Sequence, residues 1–227
     1  MFQKLAVSLF IASLAPAAYA DVATFQQGFG YSGTRDTFIR DDQPNTNFDV
    51  NTLVTFESSP NTQGLLRFEN LFGFGGMPVG STINSASLTL EVFTATTQMT
   101  MRRMLADWDE TALTWNNAML DGNVAAGIQA DDVEASTSIT ATDTNFTGTE
   151  VYDVTADVQA WANGGTAPGW VFTSTNTIQA AFWSSLTGTA ADRPLLTVNF
   201  TAPVPEPATG GLLLLGILGI VARRKRR

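Results

Sequence analysis

The stretch Ile83–Phe93, INSASLTLEVF, alternates apolar and polar side chains along almost its whole length. Ala86, Leu88, Leu90 and Val92 fall on one face of an extended chain, and serine, threonine and glutamate side chains fall on the other. Because successive side chains of a β-strand point to opposite faces, this period of two predicts a half-buried strand.

The same period recurs in PLLTVNF, Pro194–Phe200, where Leu196, Val198 and Phe200 alternate with polar residues. Six further stretches have the composition of strands: DTFIR, NTLVTFE, GLLRFE, TMRRMLA, GWVFTS and IQAAFWSS. They are separated by Gly, Pro, Asn and Ser, which supply turn geometries. Residues 117–148 are polar and rich in Ala and Thr, so we interpret them as long loops with one edge strand at most.

One segment, DVTADVQAWANGG, has a different period. Val154, Val158 and Trp161 recur at i, i+4 and i+7, which predicts one short amphipathic helix. Asp153 or Thr155 is suited to cap its start, and the two glycines are suited to end it. Many short strands with one helix predict an all-β fold, an antiparallel β-sandwich of the jelly-roll kind.

The first 20 residues have the three parts of a secretory signal peptide. Lys4 supplies the positive charge, Leu5–Leu14 is apolar, and Ala18 and Ala20 are the small residues of a cleavage site before Asp21. We therefore predict that residues 1–20 are a signal peptide and that the chain is exported through the inner membrane.

The C-terminal segment predicts a short transmembrane helix. Residues 208–222 carry no charge, and the basic tail 223–227 follows: Arg223, Arg224, Lys225, Arg226 and Arg227. A helix of this length spans ~22 Å against a hydrocarbon core of ~30 Å, so local thinning of the bilayer and snorkelling arginines are needed. The positive-inside rule keeps the basic tail cytoplasmic. Residues 21–203 are then the folded domain, and residues 204–227 are the membrane segment with its proline-rich hinge.

The charge of residues 21–203 excludes several functions. This span has six arginines, no lysine and 20 acidic residues, which gives a net charge of −14. Nucleic acid needs a basic footprint, so it is excluded as a partner. The chain has no Cys and no His, which excludes disulfides, thiolate nucleophiles, Ser-His-Asp triads and zinc sites built on those residues. Glycoside hydrolysis by two carboxylates remains chemically open.

The C-terminus resembles the PEP-CTERM sorting signal of Gram-negative bacteria. Pro205, Glu206 and Pro207 precede the apolar segment and the basic tail in the order that this signal requires. The resemblance implies that an exosortase in the inner membrane recognises the chain and cuts it near this tripeptide. The released protein is then expected at the cell surface or in the exopolysaccharide (biofilm) matrix.

The domain resembles the DNRLRE-type family, whose jelly-roll domains are related to carbohydrate-binding modules. The resemblance covers roughly residues 36–200 and rests on motifs in order: PNTNFDVNTLVTF, GLLRFE, PVGSTINSASLTL, DWDETALTWNNA, VYDVTADVQAW, GWVF and RPLLTVNF. It implies an extracellular polysaccharide as ligand. Relatives commonly have a proline after TWNN, where this chain has Ala118 and Met119.

Aromatic and basic side chains are the candidate ligand-binding residues. Aromatic faces pack against sugar rings, and Trp108, which lies among acidic residues, is the tryptophan most expected to be exposed. Trp161 and Trp170 fit core positions, and Trp115 fits a core anchor better than a ligand contact. Arg102 and Arg103 are adjacent in a predicted strand, so one points to each face; the outward one either binds an acidic sugar or forms an ion pair.

Carboxylate and amide oxygens make a structural calcium ion chemically reasonable. The segment RDDQPNTNFD concentrates five such side chains, namely Asp41, Asp42, Asn45, Asn47 and Asp49, although it lacks the residue order of an EF-hand loop. A solvated acidic turn explains the same residues.

Three functions remain open. The first is a non-catalytic carbohydrate-binding module, and the second is a structural or adhesive matrix protein without a glycan site. The third is a glycan hydrolase or lyase that uses paired carboxylates, or Tyr31 or Tyr152 as acid or base. We assign no catalytic residue and expect no enzyme activity.

Overall fold

A computed structural model describes residues 19–94, 99–118, 126–134, 139–141 and 147–204. These residues contain one helix, α1 (Thr155–Ala162), and eleven strands. The strands are β1 (Ala20–Gln26), β2 (Thr34–Arg40), β3 (Leu53–Ser58), β4 (Asn61–Phe68), β5 (Thr82–Thr94), β6 (Met99–Arg103), β7 (Ile139–Ala141), β8 (Gly148–Asp153), β9 (Trp170–Ser174), β10 (Ala180–Trp183) and β11 (Leu195–Thr201).

The first sheet is organised around β5, its longest strand. One edge of β5 pairs with β8, from Ser87↔Asp153 to Val92↔Gly148. The other edge pairs first with β11 and then with β10, and these strands in turn pair with β1 and β3. Every one of these pairings is antiparallel.

The second sheet has the order β2-β4-β9-β6-β7 and is also antiparallel. A short hairpin between β3 and β4 links it to the first sheet through Glu57↔Thr62 and Ser58↔Asn61. The result is one curled 11-stranded sheet whose two halves face each other. The predicted antiparallel β-sandwich is therefore confirmed.

The main core lies between the two halves and follows the predicted alternation. In β5, Leu88 and Leu90 are fully buried, whereas the serine and threonine residues beside them are partly exposed. In β11, Leu196 and Val198 are fully buried and alternate with half-buried residues. The second sheet contributes large side chains such as Trp170 to the same cluster.

The helix closes one end of this core. Val158 and Trp161 are buried in the main cluster together with Val154, as the i, i+4, i+7 pattern predicts. Asp153 accepts hydrogen bonds from the backbone N–H of Thr155 (2.9 Å) and from its hydroxyl (2.6 Å), so the acidic residue satisfies a free donor of the first turn. After Ala162 the chain leaves the helix, and the first of the two glycines has a left-handed φ of 100°.

Both predicted membrane-related segments fall largely outside the described residues. The signal peptide is covered only at its last two residues, where β1 begins at Ala20 opposite Thr201 of β11. Residues 208–222 are not covered, so the transmembrane helix stays a prediction. Within the described ranges, no helix is long and apolar enough to cross a membrane.

Candidate functional site

The outer face of the second sheet is the most elaborated surface of the domain. Residues that oppose each other across an antiparallel pair share a face, and the registers place Leu65, Val171 and Arg102 together on this side. Ile39 lies on the same face at the far end of β2. These apolar side chains are buried although they point away from the main core.

Two loop segments cover this face and bury its apolar side chains. A second hydrophobic cluster is formed by sheet residues and by residues of segments 104–118 and 126–133; it consists of Ile39, Leu65, Met104, Trp108, Leu113, Ala118, Ile128, Val133 and Val171. The β-structure is thus covered on both sides here. Two of the depressions that the described residues form beside these loops are the candidate binding sites.

The first depression, the Arg102 cleft, is a cavity of about 200 Å³ on the outer face of β4, β6 and β9. Its lining is Gln63, Arg102, Ile128, Gln129, Ala130, Val133, Val171 and Thr173. Arg102 is half-buried, and its Nε is enclosed without a hydrogen-bond partner. The side chain of Arg102 forms no hydrogen bond or ion pair with the part of the chain that the structure describes.

The wall of this cleft is fixed to the sheet by a reciprocal pair of hydrogen bonds. The side-chain amide of Gln63 donates to the carbonyl of Ile128 (3.0 Å) and accepts from the Ile128 N–H (2.7 Å). Gln129 donates to the carbonyls of Ala126 and Gly127, and its backbone N–H is bound by the carboxylate of Asp132 (2.7 Å). The loop 126–133 is therefore held in one position over β4.

Gly127 is required where this loop crosses Trp115. Its φ is 80°, and a Cβ at this position would lie 2.8 Å from the tryptophan ring. Its N–H donates to the carbonyl of Trp115 (2.9 Å). Trp115 thus supports the cleft wall from below, which agrees with its predicted role as a core anchor.

The second depression, the Asp107 cleft, is larger, at about 440 Å³, and lies where β4 ends. It is lined by Arg67, Phe68, Glu69, Asn70, Asp107, Thr166 and Ala167. Arg67 forms ion pairs with Asp107 and, at 2.7 Å, with Glu69, which also binds Arg35 at 3.0 Å. The charges of this cleft are therefore paired with one another, whereas that of Arg102 is not.

Trp108 is not where the sequence predicted it. Its ring is only 4% exposed, the indole Nε1 donates to the carbonyl of Pro168 (2.8 Å), and the Arg67 guanidinium lies 4.9 Å from the ring centre. The expectation that Trp108 is exposed is wrong because the outer face of the sheet is itself a packing surface. The acidic neighbours that indicated exposure are polar residues of the covering loop.

The two adjacent arginines point to opposite faces, as predicted. Arg103 forms ion pairs with Asp157 (3.3 Å) and Glu134 (3.6 Å). The same aspartate accepts a hydrogen bond from the indole of Trp170 (2.7 Å), so the ion pair is part of the core. Arg102 is the outward member and lines the cleft.

The residues predicted to bind calcium take part in hydrogen bonds and an ion pair that organise loops. Asp41 accepts the N–H of Asn61, Asp42 pairs with Arg40 at 2.7 Å, and Asn45 accepts from the side chain of Asn116. The side-chain amide of Asn47 donates to two carbonyls of the covering loop, and its oxygen accepts the N–H of Asp49. Across the described ranges, no three carboxylates group in a way that could hold a metal ion. The calcium site stays a prediction.

Burial raises the pKa of three carboxyl groups, Asp36, Glu110 and Asp157, and the first two accept hydrogen bonds from backbone N–H groups. Burial raises the pKa of Asp36 to about 7, and its carboxylate accepts the N–H of Ser185 (2.7 Å). Burial also raises the pKa of Glu110, which accepts the N–H of Asp36 (2.7 Å). The hydrogen bonds of Asp36 and Glu110 thus join β2 to two neighbouring loops.

The two tyrosines considered as acid or base are committed to packing. Burial raises the pKa of both Tyr31 and Tyr152. The hydroxyl of Tyr31 donates to the carbonyl of Glu69 (2.7 Å), and Tyr152 is 6% exposed within the main core.

An exposed aromatic pair on the first sheet was missed by sequence reasoning. The rings of Phe93 and Trp183 meet edge to face with centres 5.1 Å apart, and Phe93 is 49% exposed. The sequence does contain the information for Phe93, because the alternation that buries Val92 in β5 turns Phe93 outward. The cleft residues Gln129 and Thr173 were also missed, since no local pattern connects them.

The comparisons with known proteins agree with this architecture. The family model of carbohydrate-binding module family 96 matches residues 29–200. The PEP-CTERM protein-sorting motif matches residues 203–227. No curated protein matches the chain significantly.

Proposed function

The chain belongs to carbohydrate-binding module family 96, and on this premise we propose that its Arg102 cleft binds an acidic polysaccharide without cleaving it. One observation carries the proposal: Arg102 lines an open cleft and has no partner in the described structure. A guanidinium in this position is available to a ligand.

The chemistry of the cleft matches a sugar acid. Carbohydrates are bound by apolar surface together with a few polar groups that fix the ring. Val133 and Val171 supply the apolar wall, and Gln129 and Thr173 supply polar side chains at the rim. A guanidinium binds a carboxylate through two parallel hydrogen bonds, which are stronger than bonds between neutral groups.

The net charge of the domain makes Arg102 decisive for such a ligand. At −14, residues 21–203 repel a polyanion over most of their surface. The other arginines that contact the second sheet, such as Arg67 and Arg103, are already paired with carboxylates. Arg102 is the cation that remains available in this region. A calcium ion bridging protein and glycan is the alternative route, and it enters the test below.

The bound state of the carboxylates supports a binding module over a hydrolase or lyase. Hydrolysis needs two carboxyl groups that face each other across an accessible cleft. Asp36 is buried and Glu110 binds its backbone, so these two carboxyl groups hold strands and loops together. Glu69 and Asp107 do line one accessible cleft, but both are paired with arginines there.

The sorting motif places this module outside the cytoplasm. The chain is an exported protein with an exosortase sorting signal. We propose that it is held in the inner membrane until the exosortase cuts near Pro205–Pro207, and that it then retains polysaccharide at the cell surface or in the exopolysaccharide matrix. A purely structural role in that matrix is the alternative.

The exposed aromatic pair favours a second candidate ligand. Phe93 and Trp183 present an aromatic surface on the opposite sheet, where the C–H faces of a neutral sugar could stack. This site would bind without a guanidinium, so Arg102 would not affect it.

The test is binding of the full chain, in detergent, to a uronate polymer and to a neutral glucan, with calcium and with chelator. We expect Arg102→Gln to weaken uronate binding at least tenfold. The control, Arg40→Gln, removes the same charge from a local pair with Asp42 and should leave affinity unchanged. Equal affinity of both variants for the uronate polymer would refute the role of Arg102. Loss of uronate binding in chelator alone would assign it to calcium.

A neutral glucan that binds the chain would move the proposal to the aromatic pair, and Phe93→Ser should then abolish binding. No binding to either polymer by the unaltered chain would favour the structural role.

A further inference from the structure

The chain leaves the sandwich toward the membrane segment at a defined end. At this end Thr201, the last residue of β11, pairs with Thr82 of β5 and with Ala20 of β1. Val204 is the last described residue, and three residues separate it from the apolar stretch that begins at Ala208. An extended chain covers at most ~3.6 Å per residue, so this end lies within ~15 Å of the segment that enters the bilayer.

A rigid loop projects a phenylalanine from the same end. The loop connects the end of β4 to the start of β5 and places Phe74 at its tip, completely exposed. Hydrogen bonds close its base: the N–H of Met77 donates to the carbonyl of Leu71 (2.8 Å), and the N–H of Gly73 donates to that of Met77 (2.8 Å). Gly73 and Gly75, on either side of Phe74, have φ values of 97° and 84°, which favour glycine.

Other exposed apolar side chains lie at the same end of the sandwich. Val79 is 61% exposed three residues before β5, and Val204 is 41% exposed three residues after β11. Val22, in the adjoining strand β1, is 58% exposed. Phe74, Val79, Val22 and Val204 together form what we call the tip surface.

The tip surface is also low in charge, although the domain is strongly acidic. The chain carries no charged residue in 70–90, in 159–170 or in 194–204, three of the segments that build this end. The charges that border it are the exposed Asp21 of β1 and two carboxylates that are paired with arginines: Glu69, bound by Arg35 and Arg67, and Asp107, bound by Arg67. An anionic lipid surface would repel the rest of the domain far more than this end.

We propose that the tip surface docks onto the lipid bilayer while the chain is anchored, with Phe74 and Val79 in the headgroup region. This inference rests on the anchored state described under the proposed function, and it is independent of glycan binding. Burial of apolar side chains at the boundary between lipid headgroups and acyl chains favours binding of the domain to the membrane. The tether makes this contact effectively intramolecular, so a few side chains suffice. Docking would fix the orientation of the domain and hold the Pro205–Pro207 hinge at the membrane surface, where an exosortase acts.

The absence of cysteine in the chain allows a direct measurement. Single-cysteine variants Phe74→Cys and Val79→Cys carry a nitroxide label, and the full chain is reconstituted in phosphatidylcholine vesicles. The controls are Gln43→Cys, in the loop that follows β2, and Ile178→Cys, in the loop between β9 and β10. Both side chains are exposed at the opposite end of the sandwich, where the end of β2 pairs with the start of β4. We expect the labels at 74 and 79 to collide severalfold less with a water-soluble nickel chelate than the controls, and more with oxygen.

A second variant distinguishes docking from insertion of the label itself. With the label at position 79, Phe74→Ser should restore nickel accessibility to the level of the controls. Four equally water-exposed labels, or an unchanged label at 79 in Phe74→Ser, would overturn the proposal. If the vesicles float without the protein, the chain is not anchored in the bilayer and the docking proposal fails with the anchored state. Polysaccharide binding by the same preparation would still test the Arg102 cleft separately.

Discussion

The hydrogen bonds between Gln63 and Ile128 offer a quantitative test of how the cleft is built. In Gln63→Leu the side chain keeps about the same volume, but it can neither donate to the Ile128 carbonyl nor accept its N–H. Both backbone groups belong to a buried residue, and a buried polar group without a partner costs ~1–3 kcal/mol. The two groups together therefore cost ~2–6 kcal/mol, and the added apolar burial of leucine returns ~1 kcal/mol.

The position of Gln63 narrows this range. It lines the Arg102 cleft, so water can reach one side of the broken pair and offset part of the loss. We expect the free energy of unfolding to fall by ~2–3 kcal/mol, measured by urea denaturation with an unchanged m-value. Affinity for the polysaccharide should fall with it, because the loop 126–133 loses its attachment to β4.

The control is Gln26→Leu, which also removes two hydrogen bonds to the backbone, in this case both donated to carbonyls, at the partly exposed end of β1. There water replaces the lost partner, so a change of ~0.5 kcal/mol is expected. Equal destabilisation of the two variants, or a change below ~1 kcal/mol in Gln63→Leu, would refute the assignment of the 126–133 loop to the sheet.

Three further outcomes follow from buried groups. Burial raises the pKa of Asp36 to about 7 in the folded protein, against 3.8 in the unfolded chain, so between these values the native state retains a proton that the unfolded state has lost. The free energy of unfolding should therefore fall as the pH rises from 4 to 7. Asp36→Asn should flatten this pH dependence in urea titrations. Gly127→Ala should cost ~1–3 kcal/mol and shift the near-ultraviolet spectrum of Trp115, because the new methyl group meets that ring and the backbone has a positive φ. Trp108→Phe should lower stability by ~1–3 kcal/mol in thermal unfolding, since the carbonyl of Pro168 loses its buried donor; an unchanged melting temperature would contradict this.

The parts of the fold that could be predicted are those encoded by local periodicity. The alternation in Ile83–Phe93 specifies both that β5 is a strand and which side chains it buries, because only one of its faces is covered. The helix was predictable for the same reason, since Val158 and Trp161 recur on one face. In β8, Val151 is exposed and Tyr152 is buried, but the strand lies directly before the helix and its sequence did not separate it from the helical pattern.

The outer face of the second sheet could not be predicted in the same way. GLLRF and GWVF have adjacent large apolar residues, which indicates burial on both faces, but nothing local says what covers the second one. The covering loops begin 36 positions after the end of β4 (from Phe68 to Met104), and their polar composition concealed that Trp108 and Leu113 point inward. The wrong expectation for Trp108 and the failure to predict the loop residues of the cleft have the same cause, namely that the sequence does not show which segments cover this face.

The adjacent arginines show how little separates a structural residue from a binding residue in this domain. Arg102 and Arg103 are one position apart in β6, and strand geometry alone sends them to opposite faces. Burial is tolerable for the guanidinium of Arg103 because Asp157 and Glu134 compensate its charge, and that requirement fixes helix α1 against the second sheet. Arg102 forms no ion pair with a carboxylate of the described residues, and in the proposed function an anionic ligand compensates the desolvation of its guanidinium in the cleft. The proposal thus rests on strand geometry, which gives one arginine a partner in the core and turns its neighbour toward the cleft.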